Sequence, residues 1–177
     1  MPNFKSSLLL LALLTLLGCG IATSYRDTSV PINSMAVFDP VKYSGEWFEV
    51  ASFPVVFQQG CFNTTATYVG LPDGNLAVLN ECETPEGTEQ IAGRAEVVGP
   101  GRLEVQLEGV PFAADYWVLW VDDSYQTAVV GVPSGRAGWV LSREPKISPS
   151  RLQAAIDVFE FNGYDVEQLE MTAQDPR

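Results

Sequence analysis

From about residue 38 onward, apolar and polar residues alternate in short runs. A two-residue period of this kind marks strands that bury one face. Eight runs carry it: Trp47–Phe53, Phe62–Val69, Leu76–Cys82, Ile91–Val98, Leu103–Glu108, Tyr116–Val121, Thr127–Val132 and Gly138–Arg143. Short breaks separate them, among them Leu71-Pro72-Asp73-Gly74, Gly99-Pro100-Gly101 and Val132-Pro133-Ser134-Gly135. Glycine in such breaks supplies positive φ, and proline presets φ for a turn. Short strands at this spacing argue an all-β sandwich or barrel. Eight of them in hairpin succession suit an antiparallel up-and-down barrel, whose closure removes exposed edges. No internal repeat interrupts the pattern.

One segment keeps a helical period instead. Ser148 suits an N-cap and Pro149 the first helical position. Leu152, Ala155, Ile156 and Phe159 then recur on one face, and Gly163 suits a left-handed stop. The spacing predicts one C-terminal helix packed outside the barrel. Val166–Met171 reads as a last short strand at the sheet edge.

The first residues follow neither period. Lys5 precedes an apolar run, Ser6 to Leu17, too short to span a bilayer. A basic start, an apolar centre and a small residue at the end make an export signal. Leu16-Leu17-Gly18-Cys19 resembles the lipobox of bacterial lipoproteins, which implies an acylated Cys19 as first mature residue. Ordinary cleavage nearby, with Cys19 left free, stays open. Gly20 stands where many such lipoproteins carry an inner-membrane retention Asp, so the resemblance implies the periplasmic side of the outer membrane. The expected organisation is signal peptide 1–18, polar tether 19–37, barrel domain 38–172 and C-terminal tail 173–177.

Charge and composition narrow the chemistry. The 177-residue chain carries a formal charge of −12. A chain this acidic repels phosphate backbones and anionic surfaces, which weighs against nucleic acid as a partner. Membrane contact is expected through a lipid anchor instead of a basic face. The chain holds no His. That excludes His-ligated haem, His-containing zinc sites and catalysis by a His base. No metal or cofactor is expected.

With Cys19 used for lipid, Cys61 and Cys82 remain. Export places them where disulfides persist. If Gly70–Asp73 form a four-residue turn, Val69 faces Gly74 and the same register puts Cys61 opposite Cys82. Opposed residues lie about 4.5–5.5 Å apart, within reach of a disulfide.

Three further blocks carry a family resemblance. The first is Asp39-Pro40-Val41-Lys42-Tyr43-Ser44-Gly45-Glu46-Trp47, with the core Gly-x-Trp. The second is Asp122-Asp123-Ser124-Tyr125-Gln126-Thr127, which departs from the usual Thr-Asp-Tyr. The third is Arg143, at the end of Trp139-Val140-Leu141-Ser142-Arg143. In order, with a helix after them and a lipoprotein signal before them, they strongly resemble the lipocalin family. The likeness runs from Phe38 to Met171, and is closest to the bacterial outer-membrane lipocalins, themselves similar to apolipoprotein D. It implies structural roles for Gly45, Trp47 and Arg143, with the Arg143 guanidinium lying on the Trp47 indole as a cation–π pair. One lipocalin branch uses a cysteine for isomerase chemistry, so a free, nucleophilic Cys61 is the alternative to the disulfide. Its neighbours Gln58, Gln59, Gly60, Phe62 and Asn63 supply no base.

The resemblance also implies a cavity for one small apolar ligand, since an eight-stranded barrel is just wide enough. If Trp47 faces in, alternation carries Glu49, Ala51 and Phe53 with it, and Trp139 shares the side of Arg143. On the sixth strand the inward set is Tyr116, Val118 and Trp120 or Trp117, Leu119 and Val121; resemblance favours Tyr116. The expected ligand contacts are thus Glu49, Ala51, Phe53, Tyr116 and Trp139. An inward Glu49 needs a partner, for which Arg94, Arg102 and Arg143 are candidates. The apolar loop Phe53-Pro54-Val55-Val56-Phe57 reads as a lid, an entrance lip, or a patch for a partner or membrane. The function expected is carriage of a fatty acid or lysophospholipid by a monomer or homodimer, for storage or transport, without enzymatic activity. A lipocalin-like enzyme of isomerase or de-epoxidase type, or a scaffold with a filled barrel, remains the alternative.

Overall fold

The computed structural model describes residues 24–175. The signal peptide, Cys19 and Gly20 lie outside the described residues.

A short helix, α1 (Pro40–Tyr43), opens the domain. Asp39 caps it, accepting from the backbone N–H of Val41 and Lys42, and Pro40 sits in its first turn. Nine strands follow: β1 (Gly45–Ser52), β2 (Phe62–Gly70), β3 (Leu76–Thr84), β4 (Gly87–Gly99), β5 (Arg102–Leu107), β6 (Ala114–Val121), β7 (Thr127–Gly131), β8 (Gly138–Ser142) and β9 (Glu170–Met171). Helix α2 (Pro149–Phe161) lies between β8 and β9, with Ser148 as its N-cap.

Strands β1 to β8 pair antiparallel in chain order, and β1 pairs with both β8 and β2, so the sheet closes into a barrel. Two apolar clusters result. One fills the barrel: Trp47, Tyr68, Leu76, Val78, Ala95, Leu103, Val118, Val130 and Leu141. The other lies between the outer wall and α2: Val50, Ala51, Phe53, Leu119, Val129, Val140, Ala155, Phe159 and Tyr164. The helix contributes Ala155 and Phe159 as its buried residues.

Two irregularities decide which side chains enter which cluster. The β1–β8 register slips between Glu49 and Ala51, and the β6–β7 register slips between Val118 and Trp120. An extra residue in one strand reverses the face of everything beyond it. Ala51 and Phe53, expected inside with Trp47, therefore pack outside against α2. Trp120 leaves the inward set of Tyr116 and Val118 in the same way, and Val121 replaces it.

The chain ends also depart from expectation. Residues 24–37 were expected to be a tether, yet they are fastened to the barrel. Arg26 is buried, bonds the carbonyls of Val30, Pro133 and Asn162, and bridges to Tyr164. Met35 N–H donates to Val118 O at 2.9 Å. Polar composition hid this, because the hydrogen bonds come from backbone groups and one guanidinium, and the apolar contacts from Tyr25, Ile32 and Met35, which follow no period. The expected strand Val166–Met171 is a 3-10 turn at Val166–Gln168 followed by the two-residue β9. The tail beyond it is held as well: Asn63 N–H donates to Ala173 O, and Asp175 N–H donates to Asn63 Oδ1.

Cys61 and Cys82 form a disulfide with Cα atoms 5.4 Å apart. The register that suggested it is different. Val69 pairs with Ala77 and Gly70 with Leu76, because the β2–β3 turn spans Leu71–Asn75. A second slip between Phe62 and Thr65, where Asn63 adopts φ of 50°, then shifts the pairing again. The cysteines are near-diagonal neighbours, still within bridging distance.

Candidate functional site

One end of the barrel is closed. Trp47 is fully buried, its Nε1–H donates to Tyr43 O at 2.8 Å, and the Arg143 guanidinium lies 3.7 Å from its ring centroid. Arg143 also donates five hydrogen bonds, from Nε to Tyr125 O, from Nη1 to Glu46 O, and from Nη2 to the carbonyls of Lys42, Tyr43 and Ser44. The guanidinium thus ties the end of β8 to the turn that enters β1. Gly45 is required there on two counts. Its φ is +102°, and a Cβ would come within 3.1 Å of Arg143 Nη1. Tyr125 supplies the carbonyl for Arg143, and Asp122 holds its turn by accepting from Gln126 and Thr127 N–H. Partial burial would raise the Asp122 carboxyl, but the Ser124 hydroxyl and these two N–H groups hold it below the usual carboxylate range.

Above this floor three tyrosine hydroxyls meet. Tyr68 Oη donates to Tyr116 Oη at 2.8 Å, and Tyr116 Oη lies 2.8 Å from Tyr43 Oη. Burial pushes all three phenols up, Tyr68 to about 12, and each neighbour's charge would raise Tyr43 and Tyr116 further. An unfolded tyrosine ionises near pH ~10. Below that pH both states keep the proton and the triad's contribution is complete. Between about pH 10 and about 12 the unfolded chain ionises first, so stability falls as pH rises. Absorbance titration should show tyrosines that ionise only together with unfolding; ordinary titration in the folded state would contradict the triad.

The opposite end is the mouth. It is formed by the β1–β2, β3–β4, β5–β6 and β7–β8 loops. Val105, Leu107 and Trp139 are only partly buried toward it, whereas the floor residues Tyr43 and Trp47 are wholly covered. Tyr116 stacks on Trp139 with ring centroids 6.2 Å apart.

A polar line crosses the lip. Trp139 Nε1–H donates to Gln58 Oε1 at 3.0 Å, and Gln58 Nε2 donates to Glu49 Oε2 at 2.8 Å. Thr172 Oγ1 donates to Glu49 Oε1 at 2.7 Å. Glu49 is 5% exposed, and its partners are these neutral groups instead of Arg94, Arg102 or Arg143. Arg94 pairs with Asp73, Arg102 stacks on Trp117, and Arg143 is committed to the floor. Sequence spacing gave no sign of Gln58 or Thr172. Gln58 reaches the lumen because a 3-10 turn at Val56–Gln58 folds the loop over the mouth, and Thr172 because β9 lies alongside β1.

Of the expected contacts, Glu49 and Trp139 thus share the lip, Tyr116 runs from Trp139 down to the tyrosine triad, and Ala51 and Phe53 stand behind the wall. Among the described residues no group of three or more acidic or thiol side chains could hold a metal.

Comparison with known proteins bears on the same region. Residues 38–174 match the family model described as a lipocalin-like domain. The chain is 35% identical over 156 residues to the outer membrane lipoprotein Blc of Escherichia coli K12, covering 85% of each protein. It is 32% identical over 148 residues to mouse apolipoprotein D, covering 77% of each. Among solved structures, insecticyanin of the tobacco hornworm Manduca sexta superposes with a TM-score of 0.68 at 17% identity, over 86% of this chain and 87% of that one; at that identity the likeness concerns the fold. A barrel floored by an indole under a guanidinium, and relatives this similar along most of the sequence, lead to one conclusion: the chain belongs to the lipocalin family.

Proposed function

We propose that this lipocalin is a lipid-anchored protein of the cell envelope that carries a small apolar molecule, a fatty acid or a lysophospholipid, in its barrel. Acylation of Cys19 would tether it to the periplasmic side of the outer membrane, and similarity to the outer membrane lipoprotein Blc supports that location. The observation that carries the reading is the asymmetry of the lumen. Its floor residues Tyr43 and Trp47 are covered completely, while Val105, Leu107 and Trp139 toward the mouth are apolar and only partly buried. Apolar area removed from water there contributes about 25 cal/mol per Å2. A polar head would rest at the lip, where Gln58, Glu49 and Trp139 carry hydrogen-bonding groups.

Native mass spectrometry of protein gently extracted from its host is expected to show a bound lipid mass. Titration with fatty acid and with lysophospholipid is expected to change tryptophan emission. Trp139→Ala removes about 60 Å2 of lumen wall, about 1.5 kcal/mol, and weakens the bound ligand roughly tenfold. Absence of both a lipid mass and an emission change would sink the binding reading. An unaltered affinity in Trp139→Ala would move the ligand away from this wall.

A further inference from the structure

The described chain begins beside the mouth. Tyr25 N–H donates to Gly135 O at 2.7 Å in the β7–β8 loop, and Tyr25 Oη donates to Pro54 O at 2.6 Å in the β1–β2 loop. Arg26 Nη1 donates to Pro133 O. Only afterwards does the segment reach the closed end, where Ser34 Oγ donates to Pro100 O. Ser24 is five positions from Cys19. Five residues reach at most about 18 Å. An eight-residue strand such as β1 runs about 26 Å. This reach favours an anchor on the mouth side of the barrel over one at the floor.

The mouth carries apolar side chains of its own. Val56 and Phe57 at the tip of the β1–β2 loop are 83% and 75% exposed, and Phe112 in the β5–β6 loop is 69% exposed. Phe53 to Gly60 and Gly109 to Ala113 hold no charged residue. In the barrel order these two loops stand on opposite sides of the rim; the other two mouth loops carry exposed charge, Glu86 between β3 and β4 and Arg136 between β7 and β8, so apolar contact runs through these two loops alone. Exposed valines occur at the closed end too, but there Val37 and Val41 flank Asp39 and Lys42, and the turns carry Asp73, Asp122 and Asp123. Charged groups resist insertion into lipid, and uncharged aromatic tips favour the interface.

We propose that the mouth faces the lipid bilayer, with Phe57 and Phe112 seated in its interface. The ligand then passes between bilayer and lumen without crossing water. The orientation rests on acylation of Cys19, proposed above. Contact through neutral aromatic tips also fits a chain of net charge −12, which gains nothing from anionic lipid.

The test uses the full chain purified from host membranes and reconstituted in zwitterionic phosphatidylcholine vesicles with brominated acyl chains, which quench nearby indoles. Reporters are Phe57→Trp, Phe112→Trp and, at the closed end, Val41→Trp, each read against the four native tryptophans. The added emission at 57 and 112 is expected to be quenched about twofold more than at 41. The mass of the Cys19 peptide is measured on the same sample. An acylated peptide with mouth reporters quenched no more than position 41 overturns the orientation alone. A peptide of unmodified mass overturns the anchor, and the orientation with it. Mouth reporters shielded before vesicles are added, in a sample with the mass of two chains, assign the patch to a second copy and overturn the membrane contact.

Discussion

Phe53→Ala is expected to cost about 3–5 kcal/mol of stability while leaving ligand affinity unchanged. Phe53 is fully buried, stacked on Tyr25 at 5.2 Å, edge-on to Phe159 at 5.1 Å and 5.0 Å from Tyr164. Its ring is the junction of β1, α2 and the N-terminal segment. Removal leaves a cavity that none of the three can close alone. A Cβ on Gly138 would already meet Phe53 and Phe159 at 3.0 Å, so the surroundings are tightly filled. For a domain of this size the loss corresponds to a fall in Tm of roughly 10 °C. The split between stability and binding is the informative part, because alternation alone places Phe53 in the ligand wall. Thermal unfolding and lipid titration on one sample read both. A weakened ligand at unchanged Tm would put Phe53 inside the barrel and contradict the slip at Glu49–Ala51.

Arg143→Ala is expected to lower stability by about 3 kcal/mol. The cation–π contact with Trp47 accounts for about 0.5–2 kcal/mol of this. The remainder comes from five carbonyls that lose a charged donor, discounted because water reaches several of them. Arg143→Lys is expected to recover only a small part. A single ammonium cannot lie flat on the indole while serving carbonyls from Tyr125, Glu46 and the Lys42–Ser44 turn. A double-mutant cycle with Trp47→Phe separates the stacking from the hydrogen bonds. Additive losses would show that the pair does not couple. Since Arg143 lies at the end remote from the mouth, ligand affinity should fall much less than stability does.

The proposals share a geometric basis. A floor built by Trp47, Tyr43 and Arg143, and a lip built by Gln58 and Glu49, give the barrel a direction. The attachment of Tyr25 beside Pro54 and Gly135 relates that direction to the proposed anchor at Cys19. The disulfide adds local support, since Cys61 and Cys82 join β3 to the foot of the β1–β2 loop that carries Phe57 and Gln58.

Much of the fold was legible in the residues themselves. Period-two alternation located eight strands, and Ser148-Pro149 with Gly163 bounded the helix, because these are local properties of the backbone. Gly45, Trp47 and Arg143 could be singled out by type and order, because few residues can turn, close and clamp a barrel end. Two classes of information were absent. A slip of one residue, as at Glu49–Ala51 or Val118–Trp120, depends on how neighbouring strands bend to close the cylinder, and it reversed Ala51, Phe53 and Trp120. Partners brought together by closure were equally hidden. Gln58 and Thr172 reach Glu49 from 9 and 123 positions away, and the polar segments at both chain ends attach through backbone groups and through unpatterned side chains such as Tyr25, Arg26 and Gln174. Local periodicity thus determined the number and order of the staves, while the closed sheet alone decided which side chains face the hollow, because facing is set by register and register by the neighbouring strand.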